Sequence, residues 1–175
     1  DALVYITQKN KDLRLKVVAA LMQKLLAGAP NLAGALLFAL GNFYDSNNAY
    51  ITGWFYRSEQ KEVTVTDQAV GIGRIAQMAY IMKEERECLR RVKYLVSLLE
   101  KAKGKERFFL IAALGNLVRF RPSVRLAVLP AFKELLPQAT ADELVYITRL
   151  MSSSESSALK LTSYRAALWG RLVKF

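Results

Sequence analysis

Residues 106–136 read ERFFLIAALGNLVRFRPSVRLAVLPAFKELL, and this stretch decides the fold. Its first half has apolar residues at the spacing of one α-helical face, namely Leu110, Ala113, Leu114, Leu117 and Val118. The second half repeats that spacing at Val128, Ala131, Phe132, Leu135 and Leu136. Arg121-Pro122 separates the halves, because proline is tolerated in a first helical turn and disfavours helical geometry in the residue before it. The stretch therefore predicts two consecutive amphipathic helices.

The same helical period recurs within residues 11–27, 85–101 and 158–174. A Thr-x-x-Glu capping box at Thr140 marks a further helix start. Residues 62–66 alternate valine with threonine, and we interpret them as an extended loop before a helix capped by Thr66 or Asp67, rather than as a strand. The sequence predicts an all-α domain over residues 1–175 with eight or nine short helices.

Since the chain starts at Asp1, we expect a processed product or an excised piece of a longer chain.

Two short sequence segments each occur twice in the chain. Residues 1–7 match residues 142–148 at six of seven positions, and Ala-Leu-Gly-Asn occurs at both 39–42 and 113–116. The offsets are close to multiples of about 35 residues, the length of a helical-hairpin repeat. This spacing favours stacked antiparallel helical hairpins, arranged either as an α-solenoid or as a compact helical bundle.

The hairpin at 112–136 resembles a HEAT or armadillo repeat: AALGNL is followed by Arg121-Pro122, then by SVRLAVL and FKELL. Residues 112–175 are also similar in layout to the helical repeats of the symplekin family, scaffolds of messenger-RNA processing. Both resemblances imply a protein that acts by binding. Residues 43–66 fit no HEAT unit, so uniform repeats are not expected.

The composition excludes several kinds of catalytic and metal-binding site. The chain has no histidine, which excludes a Ser-His-Asp triad and a histidine metal site. Its single cysteine, Cys88, excludes an intrachain disulfide and suits a reducing compartment. We therefore expect an intracellular protein that is not an enzyme, with no cofactor and no metal.

Gly71-Ile-Gly-Arg-Ile-Ala76 matches the dinucleotide-binding fingerprint G-x-G-x-x-A. That motif needs a strand directly before its first glycine, whereas residues 67–70 read as a helix already begun. We interpret the glycines as small residues at a close contact between two helices.

The 26 lysines and arginines exceed the 15 acidic residues, which gives a net charge of +11. More than half of this excess lies in residues 84–125. Such a basic stripe attracts polyanions. We expect it to bind an acidic protein or peptide segment or, alternatively, RNA; a solvated face that only confers solubility is the competing interpretation. The candidate residues are Arg86, Arg90, Arg91, Lys93, Lys101, Lys103, Lys105, Arg107, Arg119, Arg121 and Arg125.

Aromatic residues concentrate in residues 43–56. The adjacent rings at 54–56 cannot all face one core from a single helix, so at least one is expected at the surface. We select Trp54, Tyr56 and the following Arg57 as further contacts for a partner.

Residues 25–44 lack charge over about the length of a membrane span. Pro30, Asn31 and Asn42 interrupt this stretch, so we interpret it as a buried helix preceded by a turn and do not expect membrane insertion.

Overall fold

A computed structural model describes residues 10–28, 30–43, 64–148 and 170. These residues form seven α-helices: α1 Lys11–Leu26, α2 Ala33–Gly41, α3 Val65–Ile81, α4 Glu85–Leu99, α5 Gly104–Phe120, α6 Arg125–Leu135 and α7 Ala141–Ile147. Short 3-10 turns at Pro30–Leu32, Pro122–Val124 and Leu136–Gln138 connect some of them. The all-α prediction is confirmed, with no strand in the described residues and a helix number slightly below the expected eight or nine. The helix predicted within residues 158–174 lies outside the described ranges, apart from Gly170.

Helix α5 forms the centre of the fold. Every residue from Phe109 to Val118 is buried, so no face of this helix is exposed to solvent over about three turns. Helices α2, α3, α4 and α7 all pack against it, although α2 and α7 are far apart in sequence. In a linear solenoid each unit contacts mainly its sequence neighbours. The described helices therefore form a compact bundle around α5, the second of the two arrangements that the sequence left open.

Helices α2 and α3 cross at glycine residues, where no side chains separate their backbones. A Cβ atom added to Gly73 would lie 1.9 Å from the carbonyl oxygen of Leu37, and one added to Gly41 would lie 2.5 Å from the carbonyl carbon of Gly73. Beside the crossing, the Gln77 amide donates to the side-chain oxygen of Asn42. Close helix packing thus explains Gly73, as predicted, while Gly71 is buried within α3.

Helix α3 begins earlier than predicted. Its N-cap is Thr64, whose hydroxyl accepts a hydrogen bond from the Asp67 backbone N–H at 3.1 Å, while the Asp67 carboxylate accepts from the Thr64 N–H at 3.2 Å. This reciprocal box satisfies two backbone donors, whereas a cap at Thr66 or Asp67 would lack it. The capping box predicted between Thr140 and Glu143 is confirmed at the start of α7.

The uncharged residues 25–44 do not form one long helix. Helix α1 ends at Leu26, Gly28 turns the chain with a φ of 85°, and α2 extends only over the nine residues Ala33–Gly41. Across the part of the chain that is described, no helix combines the length and apolar character needed to cross a bilayer.

We expect Gly73→Ala to destabilise the protein by about 3 kcal/mol or more, because the new methyl group would collide with the Leu37 carbonyl and two packed helices would have to separate. Urea unfolding measures the loss. Gly104→Ala is the control: its φ is +54° and its Cβ would meet open space, so only backbone strain of about 1 kcal/mol is expected. Equal losses in the two variants would contradict the close crossing.

Candidate functional site

Helix α4 presents a row of cations on its outer face. Its inner face is fixed by the buried side chains of Cys88, Val92, Leu95 and Leu99. The opposite face carries Arg86, Arg90 and Lys93 at helical spacing, with Lys101 continuing the line beyond the C-cap, and all four residues are exposed. We call these four residues the α4 row.

A groove of about 680 Å³ lies against the first part of this row. Among the described residues, its lining consists of Glu84, Arg86, Glu87, Leu89, Arg90 and Lys93. Arg90 forms an ion pair with Glu87 at 2.9 Å, and its side chain remains 71% exposed. Leu89 packs partly against the core and offers apolar surface between the charges. The groove thus combines three cations, two carboxylates and an apolar contact.

A second basic cluster surrounds the turn between α4 and α5. Lys101, Lys103 and Lys105 are exposed, while Ala102 between them is buried and anchors the turn. Gly104 adopts a positive φ of 54° at the start of α5. Arg119 is exposed near the other end of this 17-residue helix, about 25 Å away. Exposed cations therefore lie at both ends of α5.

The Arg107 side chain forms contacts within the protein. Its guanidinium donates to both carboxylate oxygens of Glu143, at 2.9 and 2.8 Å, and to the Gln138 carbonyl oxygen at 3.2 Å. The Glu143 side chain is only 5% exposed. The pair ties α5 to the start of α7, so Arg107 does not extend the basic surface.

Arg121 holds the end of α3. Its guanidinium donates to the carbonyl oxygens of Ala79, at 3.0 Å, Tyr80, at 3.2 Å, and Met82, and also contacts Glu85 at 3.2 Å. It thereby satisfies carbonyls that a helix end leaves without partners. Burial raises the pKa of the neighbouring Cys88 thiol, an effect that the positive charge of Arg121 opposes and Glu85 reinforces.

Arg125 and Arg91 are also drawn inward. Arg125 is 4% exposed at the start of α6, and Arg91 is half-buried with its Nε enclosed. The structure therefore corrects the predicted stripe. Four of its eleven cations lie partly or wholly inside the protein, and seven are exposed: Arg86, Arg90, Lys93, Lys101, Lys103, Lys105 and Arg119. Trp54, Tyr56 and Arg57 lie outside the described residues.

Sequence reasoning missed an aromatic patch at the ends of α3 and α5. The rings of Tyr80 and Phe120 lie 6.1 Å apart, and the ring of Phe38 from α2 lies 6.0 Å from Tyr80. The guanidinium of Arg119 is 5.3 Å from the centre of the Phe120 ring. One signal was available in the sequence, since Phe120 lies between two arginines and beyond the apolar stripe that ends at Val118.

Comparisons with protein-family models, with curated proteins and with solved structures found no match to this chain.

We expect Arg107→Met to destabilise the protein by about 3 kcal/mol, because the buried Glu143 carboxylate loses its charged partner. Chemical denaturation measures the change. The matched control is Lys105→Met, which removes an exposed cation two residues away and should cost less than about 0.5 kcal/mol. If both variants were equally stable, the internal role of Arg107 would be wrong.

Proposed function

We propose that this protein is a non-catalytic helical binding module, and that it binds an acidic segment of another protein along α4. The observation that carries the proposal is the α4 row beside its groove. Arg86, Arg90 and Lys93 line one open channel, and Leu89 offers an apolar contact within it. An extended acidic peptide or the acidic face of a helix fits such a surface.

The chemistry of the row favours carboxylates. Arg86 and Arg90 carry planar guanidinium groups, which can bind a carboxylate through two parallel hydrogen bonds. Within the groove, Arg90 already pairs with one carboxylate, that of Glu87, through a single contact of 2.9 Å. A partner carboxylate would compete with Glu87 for Arg90 and would meet Arg86 and Lys93 without such competition inside the described ranges.

Exposed ion pairs are individually weak, at about 0.2–1 kcal/mol each. Three or four of them cannot produce tight binding, but they accelerate association and select partners by charge. Binding should therefore weaken with salt. We also propose an intracellular location, on the ground that the single thiol, Cys88, is free and buried.

Reversing the charge of the groove residues tests this function. The triple variant Arg86→Glu, Arg90→Glu, Lys93→Glu should bind a fluorescent glutamate-rich peptide at least about tenfold more weakly than the unmodified protein, because three attractions become repulsions. Fluorescence anisotropy at low salt measures the affinity.

The matched control reverses three exposed lysines of α1, Lys11, Lys16 and Lys24, which changes the net charge equally. It should lose much less affinity. Equal losses in both triple variants would show that net charge alone attracts the peptide, and the proposed site on α4 would be abandoned.

RNA is a second candidate, favoured by the lysine-rich turn. Lys101, Lys103 and Lys105 place three exposed point charges within five residues, a pattern suited to phosphates, which need charge more than fixed geometry.

If RNA is the ligand and each of these three lysines neutralises one phosphate, the affinity for oligo(U) should fall about twentyfold between roughly 50 and 200 mM salt, through counterion release. Filter binding measures it. Lys101→Glu, Lys103→Glu, Lys105→Glu should abolish this binding, with the α1 triple variant again as control. Absence of oligo(U) binding at low salt would remove this candidate.

A further inference from the structure

The ends of α3 and α5 expose a cluster of large apolar side chains. Tyr80 is 46% exposed, Ile81 57% and Phe120 53%. Phe38 of α2 supports Tyr80 from beside it and is itself half-buried. Tyr80 and Phe120, with Phe38 beside them, are the aromatic patch described above, and the exposed Ile81 follows Tyr80 at the end of α3. Single exposed apolar residues are ordinary, but adjacent ones on two different helices are typical of a binding surface.

The backbone beneath this patch is held in place. Arg121, the residue after Phe120, donates hydrogen bonds to the carbonyls of Ala79, Tyr80 and Met82. The two helix ends that carry the patch are thus tied together by one guanidinium group. A surface that is ordered before binding loses little conformational entropy when a partner docks on it.

Cations border the patch. Arg119 lies over the Phe120 ring, and Lys83 and Arg86 are exposed just beyond the end of α3. Two carboxylates are also near in sequence, of which Glu85 is engaged by Arg121 and Glu84 is exposed. Arg86 follows Ile81 by five residues in the chain and also lines the groove on α4, so the segment that leaves the patch enters the proposed binding surface.

We propose that the aromatic patch anchors an apolar side chain of the acidic partner, so that the partner segment combines acidic residues with a large apolar or aromatic one. This inference rests on the proposed function and specifies its ligand: charges along α4 orient the segment, and the patch supplies the apolar contact that exposed ion pairs lack. Aromatic side chains surrounded by polar contacts are frequent centres of binding energy.

The ring geometry favours a peptide over single-stranded nucleic acid. Successive bases stack on open ring faces. Here the planes of Tyr80 and Phe120 meet edge to face at 64°, and Arg119 lies over the Phe120 ring. The rings therefore do not form a parallel platform, but their edges can contact one apolar group.

Two fluorescent peptides of equal charge test the inference. Both are rich in glutamate; the first carries one tryptophan and one leucine, and the second has serine at those two positions. The unmodified protein should bind the first peptide at least about tenfold more tightly than the second. Phe120→Ser should remove this preference while leaving the affinity for the serine peptide unchanged.

A second variant, Ile81→Ser, should reduce the preference in the same direction, which keeps the test valid if Phe120→Ser folds poorly by circular dichroism. Leu15→Ser is the matched control, since Leu15 is 59% exposed on α1, and it should preserve the full preference.

The outcomes separate the two proposals. If neither peptide binds, the proposed function itself fails. If both peptides bind equally well, or if the preference survives both patch variants, the acidic-peptide function stands and the anchoring role of the aromatic patch is overturned. If oligo(U) displaces neither peptide but binds with an affinity that Phe120→Ser lowers, the patch serves nucleic acid and the inference is likewise overturned.

Discussion

The complete burial of α5 is the constraint on which the rest of the structure depends. A helix with no exposed face along its central ten residues must be enclosed by neighbours on every side. Those neighbours can approach closely only where side chains are absent. Gly34 lies against Asn116 of α5, Gly115 of α5 lies against Tyr146, and Gly41 and Gly73 close the crossing of α2 with α3. Glycine is costly within a helix, so its placement at these contacts indicates that close packing outweighs propensity.

The same constraint explains why several arginines became internal. Both ends of α5 emerge beside other helices, and a cation there either finds a partner or loses hydration without compensation. At one end Arg107 pairs with Glu143 of α7, and at the other Arg121 caps α3 and contacts Glu85 of α4. Helix α4 lies at the periphery, with one face turned outward. The cations on that outward face, Arg86, Arg90 and Lys93, stay exposed for that reason, whereas Arg91 is half-buried.

The sequence predicted local structure well and tertiary placement only in part. Periodicity, Arg121-Pro122 and the Thr140 capping box anticipated α5, α6 and the start of α7, because these signals act between residues close in the chain. The inward orientation of Arg107 and Arg121 depends on partners 31 to 42 residues away, which periodicity cannot detect. The aromatic patch joins Tyr80 to Phe120 across a similar separation. Counting basic residues in the sequence therefore overestimated the number of exposed cations and missed the exposed apolar side chains of Tyr80 and Phe120.

Arg121 connects the stability of the fold with the shape of its surface. Its guanidinium satisfies the last carbonyls of α3, which is a structural role, and in doing so sets the position of Tyr80 relative to Phe120. The same group contacts Glu85 and leaves the adjacent Arg86 exposed to line the groove. Arg121 therefore contacts backbone or side-chain atoms beside both the apolar and the basic parts of the surface. A partner that contacts both parts meets a geometry fixed by the core, because the residue that orders it is itself part of the packing between α3, α4 and α5.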